Sequence, residues 1–123
     1  MAFSKQTLPT NIGSSVIVDE LAISTAQANV NGGAATIYSV MIDLTENTSE
    51  GVYLKCKNAT SIASVAACQP DHQFYCPAGS TMQYTIPGGL EMETGLSYYV
   101  SQEAGVGGTT RPSGIAKIYI AIG

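Results

Sequence analysis

The ten residues Ala35–Leu44, ATIYSVMIDL, decide the fold. Tyr38, Val40, Ile42 and Leu44 fall on one side of this run, and Ile37, Ser39, Met41 and Asp43 on the other. A period of two marks a strand with one apolar face, and that face packs on a facing sheet about 10 Å away. Val52–Lys57 repeats the pattern, Val52, Leu54 and Cys56 against Tyr53, Lys55 and Lys57. Lysines on one side of this second strand predict that the side sees water.

Downstream, His72–Cys76, Thr81–Ile86, Leu90–Glu93 and Leu96–Ser101 read as short strands. Pro77-Ala78-Gly79, Pro87-Gly88-Gly89 and Thr94-Gly95 separate them as turns. Glu103–Gly114 is a glycine-rich loop, and Ile115–Ile122 is a closing strand apolar enough to be buried on both sides. Alternation splits Tyr98 and Tyr99 between the two sheet faces, which predicts one of them outward. Upstream, Val16–Ile23 reads as strand or short helix, its β-branched start favouring strand. Residues 1–15 are polar and turn-rich with isolated Phe3, Leu8 and Ile12, the pattern of an extended arm. The expected architecture is all-β: an antiparallel, jelly-roll-like β-sandwich of seven or eight strands. An extended N-terminal arm spans 1–15 and a single domain spans 16–123.

Composition narrows the function. The 123 residues carry five Lys+Arg and nine Asp+Glu, a formal net charge of -4, and only 11% are charged. Soluble domains usually hold roughly a quarter charged residues. The acidic balance argues against nucleic acid as a partner, since phosphate binding needs clustered cations. No window approaches the roughly 18 apolar residues of a membrane helix. Lys5, Gln6, Thr7, Pro9 and Asn11 break any secretory leader at the start. No membrane partner is expected, and the chain is expected to be made in a cytosol-like compartment.

Candidates for chemistry are few. Cys56, Cys68, His72 and Cys76 hold the inventory of a Cys3His zinc site. On one strand, however, His72 and Cys76 lie about 13 Å apart, too far for one ion. A Cys68–Cys76 disulfide is an open alternative, and the odd count leaves a thiol free. Paired carboxylates occur at Asp19-Glu20 and at Glu91/Glu93, and the two glutamates, on one strand face, read as a solvated pair rather than a glycosidase pair. Gly105-Val106-Gly107-Gly108 lacks the Lys-Ser/Thr of a phosphate loop. No catalytic residue, metal site or cofactor is expected. Seven tyrosines on a charge-poor surface suit a protein interface or a sugar platform.

The segment order, from ATIYSVMIDLTENTSEGVYLKCKNA through PAGSTMQYTIPGGLEMETGLSYYVSQEAG to IAKIYIAI, resembles small β-sandwich virion proteins of tailed bacteriophages, the decoration (cement) class, over residues 34–122. Pro77-Ala78-Gly79, Gly89-Leu90 and Gly95-Leu96-Ser97-Tyr98 carry the likeness. The three cysteines depart from that pattern. The resemblance implies a structural protein, not an enzyme, that sits as a homotrimer over joints between major capsid subunits. Its partners would be the major capsid protein and its own copies, and its place the capsid surface after synthesis in the host cytoplasm. Phe3, Leu8, Pro9 and Ile12 would anchor the arm on a neighbour. The alternative is a host-binding or glycan-binding module of a tail fibre or spike.

Overall fold

The computed structural model describes residues 3–7 and 15–123. Among them the strands are β1 (Ser4–Thr7), β2 (Ser15–Asp19), β3 (Ala35–Asp43), β4 (Val52–Asn58), β5 (His72–Cys76), β6 (Thr81–Met92), β7 (Leu96–Ser101) and β8 (Lys117–Ile122). They form two antiparallel sheets, a five-stranded one ordered β1-β2-β8-β3-β6 and a three-stranded one ordered β5-β4-β7. The described residues contain no helix. The all-β sandwich expected from the alternating runs is therefore the observed architecture.

Its core lies between the sheets. Ile17, Ile37, Val40, Ile42, Ile118, Ile120 and Ile122 come from the larger sheet and Val52, Leu54, Cys56, Tyr98 and Val100 from the smaller. Each fully buried aliphatic side chain contributes about 1.5–3 kcal/mol relative to exposure, so this layer is the main source of stability. A buried carboxylate link crosses it. The Tyr98 hydroxyl donates to Asp19 Oδ2 at 2.8 Å, and Asp19 Oδ1 also accepts from the Leu21 amide at 3.2 Å.

Several expectations about individual strands need correction. The buried face of β3 includes Ile37, while Tyr38 is only half-buried. The reason is a bulge. Ile37 pairs with Ile122 and Leu90, whereas Ser39 pairs with Ala121 and Thr85, so Tyr38 is an extra residue opposite β8. An inserted residue moves every side chain before it to the other face. On the partner side, Ile86–Gly89 is the insertion that absorbs the irregularity. Thr81–Ile86 and Leu90–Glu93 are thus parts of one strand, Thr81–Met92, rather than two strands parted by a turn. Gly89 (φ 81°) makes it possible: a Cβ there would collide with Thr36 Cγ2 and lie 2.9 Å from Tyr38 Cε1.

The closing strand is not buried on both sides. In β8, Ile118, Ile120 and Ile122 are buried, while Lys117, Tyr119 and Ala121 are partly exposed. Tyr98 and Tyr99 do fall on opposite faces, Tyr98 in the core and Tyr99 on the outer side beside Lys55, but Tyr99 is covered rather than exposed, and β7 is buried along its whole length. Its free edge is closed by the β2–β3 connection: the Val30 amide donates to Leu96 O, Val100 to Ile23 O, and Gln27 and Tyr98 bridge reciprocally. Val16–Ile23 resolves into strand only through Asp19. Within the segment read as an arm, Ser4–Thr7 pairs with Ser15–Val18 as the edge strand of the larger sheet.

Candidate functional site

The outer faces of the two sheets have opposite character. On the three-stranded sheet, Lys55 lies opposite Gln73 on one neighbour and Tyr99 on the other. This is the side expected in water, yet Lys55 is 0% exposed. The β7–β8 connection folds back over it. Lys55 Nζ donates to Gly105 O at 2.8 Å and Gly108 O at 3.0 Å, and stands 5.4 Å from the centroid of the Tyr99 ring.

Glycine lets the loop close this tightly. Gly105 and Gly107 take left-handed φ of 75° and 86°. A Cβ on Gly108 would lie 2.9 Å from Lys55 Nζ and 2.9 Å from Glu103 O. The loop is further tied by the Gly105 amide donating to Gln73 Oε1 at 2.8 Å and the Thr110 amide to Glu103 Oε1 at 2.9 Å. Burial pushes the Lys55 pKa down, and the Glu103 carboxylate and Cys68 oppose that shift. Lys57, the second lysine of this side, is partly exposed, pairs with Asp71 at 3.6 Å and donates to Gln69 O at 3.0 Å.

A second loop, residues 59–71, completes the roof. Its one buried side chain is Cys68, which faces the Tyr99 hydroxyl. That hydroxyl is buried and has no hydrogen-bond partner. Burial, reinforced by Cys68, pushes its pKa up to about 12.

The five-stranded sheet turns the other way. Register places Gln6, Val16, Ala121, Ser39 and Thr85 in one row across its outer face. Ser4, Val18, Tyr119, Met41 and Gln83 form the next row. The central residues Val16, Val18, Met41, Tyr119 and Ala121 are all partly exposed, and the outermost Ser4, Gln6, Gln83 and Thr85 are exposed. Lys117, paired with Glu46 at 2.6 Å, and Asp43 close one end. The result is an apolar centre with a polar margin.

The residues singled out in the sequence are scattered. Phe3 is half-buried and packs on the protein's own core, while Leu8, Pro9 and Ile12 lie outside the described residues. Cys56 pairs with His72, and Cys76 with Val52, in the smaller sheet. The Cys76 thiol donates to Ile42 O at 3.5 Å and Ser80 O at 3.4 Å. All three cysteines are free, which leaves the Cys68–Cys76 disulfide unformed. Burial pushes the Cys56 thiol up to about 12. Among the described residues no three His, Cys, Asp or Glu side chains gather as metal ligands. Asp19 holds the sheets together through Tyr98, and Glu91 and Glu93 are exposed.

Sequence reading missed the Lys55–Tyr99–Cys68 cluster. The available signal was the run of glycines at 105, 107 and 108, which can bring backbone carbonyls close to a cation.

Fold and surface together define a two-sheet antiparallel β-sandwich in which loops roof Lys55 and Tyr99 on the outer face of the smaller sheet, Gln73 and Tyr75 of that face stay exposed, and the outer face of the larger sheet is partly open. Compared with known proteins, the chain matches no family model, no curated protein and no solved structure at a significant level.

Proposed function

We propose that the protein is a bacteriophage structural protein that decorates the capsid and stabilises it by binding at joints between major capsid subunits. One observation carries the reading: the apolar centre Val16, Val18, Met41, Tyr119 and Ala121 on the outer face of the larger sheet, flanked by the polar Ser4, Gln6, Gln83 and Thr85 and closed at one end by Lys117 and Asp43. An apolar patch with a polar margin is the anatomy of a protein interface. A chain of which only 11% of residues are charged fits such a covered position. On this reading the partners are the major capsid protein and further copies of the chain, arranged as a homotrimer on the capsid surface, and no reaction is assigned to it. The resemblance of residues 34–122 to decoration proteins supports the same conclusion.

A second reading, a glycan-binding module of a fibre or spike, is favoured by the Tyr53–Tyr75 ring pair. Its centroids are 4.7 Å apart and Tyr75 is 41% exposed, the makings of a sugar platform.

The test is a quantitative stain of purified virions that counts this chain against the major shell protein. Decoration requires hundreds of copies per particle; tens or fewer would support the fibre reading, and none would overturn both. The variant Met41→Lys, placed at the centre of the open face, is expected to fold but to leave shells undecorated. Full occupancy by that variant would sink the assignment of this face.

A further inference from the structure

We infer that the open edge of β6 pairs with the same edge of a second copy of this chain, antiparallel and two-fold about Gln83. The contact uses backbone groups at the rim of the larger sheet. It leaves the outer-face patch free and does not rest on the decoration reading.

β6 ends the larger sheet, with β3 as its one strand neighbour among the described residues. The Leu44 amide donates to Ser80 O at 2.8 Å, which sets the phase of the ladder. At that phase the backbone groups of Met82 and Tyr84 turn to Ile42 and Val40, and those of Thr81, Gln83 and Thr85 turn to the open side. The side chains of these three are exposed. Met82, Tyr84 and Ile86 are only half-buried, which leaves an apolar row along the inner side of the same rim.

The other sheet ends are protected. β1 has 4 residues and carries Lys5, and β7 is closed by the β2–β3 connection. β5 has 5 residues, and its Tyr75 carbonyl already accepts from the Tyr84 hydroxyl. Charge, shortness and cover are the usual guards of a sheet edge. The run Thr81–Ile86, TMQYTI, has no charge, no proline and mostly strand-forming residues.

The two ends of this run decide what fits it. Gly79, at a left-handed φ of 70°, turns the chain into the strand, and Pro87, which has no N–H to offer, ends the flat stretch. Thr81–Thr85 remains, with Gln83 at its midpoint. A copy laid antiparallel about that midpoint sets Gln83 against its own counterpart and Thr81 against the second copy's Thr85. Every outward N–H then meets an outward C=O. Side chains match too: threonine lies opposite threonine, amide opposite amide, and Met82 beside the second copy's Tyr84. A slip of one residue would aim these groups at ones already bonded to β3. Any strand could satisfy the backbone, but the palindromic order Thr81, Gln83, Thr85 singles out a second copy. A rim this short buries less than the roughly 1,200 Å² of stable complexes, so the dimer is weak and concentration-dependent.

Sedimentation velocity of the full chain from about 5 to 500 μM covers weak association. The expected result is a monomer–dimer equilibrium. Gln83→Lys sets two cations against each other at the axis, and Gln83→Pro removes an outward N–H. Each should weaken the dimer about tenfold or more while melting near the wild type. Register has its own readout. Opposed residues of a hydrogen-bonded pair have Cα atoms about 5.5 Å apart, inside the roughly 4.4–6.8 Å that a disulfide spans. Gln83→Cys should therefore link into a covalent dimer on a non-reducing gel after mild oxidation. Thr81→Cys, whose two copies stand about 14 Å apart, should not. Nor should the wild type, whose three thiols are buried. If Gln83→Pro does not fold, Gln83→Lys and the cysteine variants decide. A wild type still monomeric at the highest concentration would overturn the proposal, as would a dimer equally tight in Gln83→Lys. So would Thr81→Cys linking as fast as Gln83→Cys, or a dimer lost in Val16→Lys but kept in Gln83→Lys, which would move the contact to the outer face.

Discussion

Replacing Lys55 by methionine isolates what the roofed ammonium contributes. Methionine keeps an unbranched apolar stem, so packing under the loop is largely retained. What it removes is the donor to Gly105 O at 2.8 Å and Gly108 O at 3.0 Å, and the cation 5.4 Å from the Tyr99 ring. Two carbonyls left unpaired under the roof cost about 1–3 kcal/mol each, and the lost ring contact about 0.5–1 kcal/mol. Against this, methionine no longer has to be desolvated as an ion, the same penalty that pulls the Lys55 pKa down. The loop can also open and offer its carbonyls to water, which caps the loss. The expected balance is about 2 kcal/mol lower stability, a fall in Tm of roughly 6–12 °C for a domain of this size. Hydrogen exchange reads the local part. The Gly105 and Thr110 amides, held by Gln73 and Glu103, should exchange about tenfold faster than the global change explains. The pH dependence has a definite sign. Since the Lys55 pKa is lowered from 10.5, the unfolded chain keeps its proton to higher pH than the native one. Stability of the wild type therefore gains a rising term with pH between the lowered value and 10.5, absent in Lys55→Met. A variant that is more stable at neutral pH, with unchanged exchange across residues 103–110, would refute the pinning of this loop by Lys55.

Tyr98→Phe leaves the Asp19 carboxylate, 1% exposed, with the Leu21 amide as its remaining partner. A hydrogen bond to a charged group is worth about 1.5–3 kcal/mol, so the unfolding free energy should fall by that amount, read as a lower urea midpoint with an unchanged m-value; no shift would show that the inter-sheet link contributes nothing. Acid should destabilise the fold. The pKa values of Asp43, Glu50 and Glu103 are lowered, chiefly by hydrogen bonds from Thr45, Ser113 and Thr110 respectively. Their contribution is present above the ordinary carboxyl values of 3.8 and 4.5 and is lost as pH falls through the lowered native values, which a Tm series from neutral pH downward measures; a flat series would refute it.

Alternation within Ser39–Leu44 and Val52–Cys56 was enough to fix which side chains enter the core. The phase of Ile37 and Tyr38 was not legible, because it depends on Ile86–Gly89, an insertion in another strand nearly 50 residues away. Pro87-Gly88-Gly89 carries the same local signal whether it ends a strand or bulges one, and only the partner strand decides. Lys55 illustrates a different limit. Its side of the strand was read correctly, but exposure depends on whether a later loop comes back over it. The glycines at 105, 107 and 108 permit that return without announcing it. Cys68 was legible as a loop cysteine, whereas its placement against Tyr99 depends on the long-range fold of residues 59–71.

The distribution of cover between the two sheets is the reverse of what solvation alone would produce. The outer side of the smaller sheet carries Lys55 and Tyr99, side chains that water could serve, and two loops roof them while Gln73 and Tyr75 on β5 stay exposed. The outer side of the larger sheet carries Val16, Val18, Met41, Tyr119 and Ala121 and is left partly open. Strand propensity explains β-branched residues there but does not require apolar ones, since threonine fits the same pleated surface. Strand order then concentrates the apolar side chains: β8 and β3 are inner strands, β2 is next to the edge, and the polar Ser4, Gln6, Gln83 and Thr85 belong to the outermost β1 and β6. An apolar centre held away from the sheet edges favours face-to-face contact. That is the geometry a sandwich needs if its open face is to be covered by another subunit, and it is why the surface of β2, β8 and β3 is a place to break the proposed capsid contact.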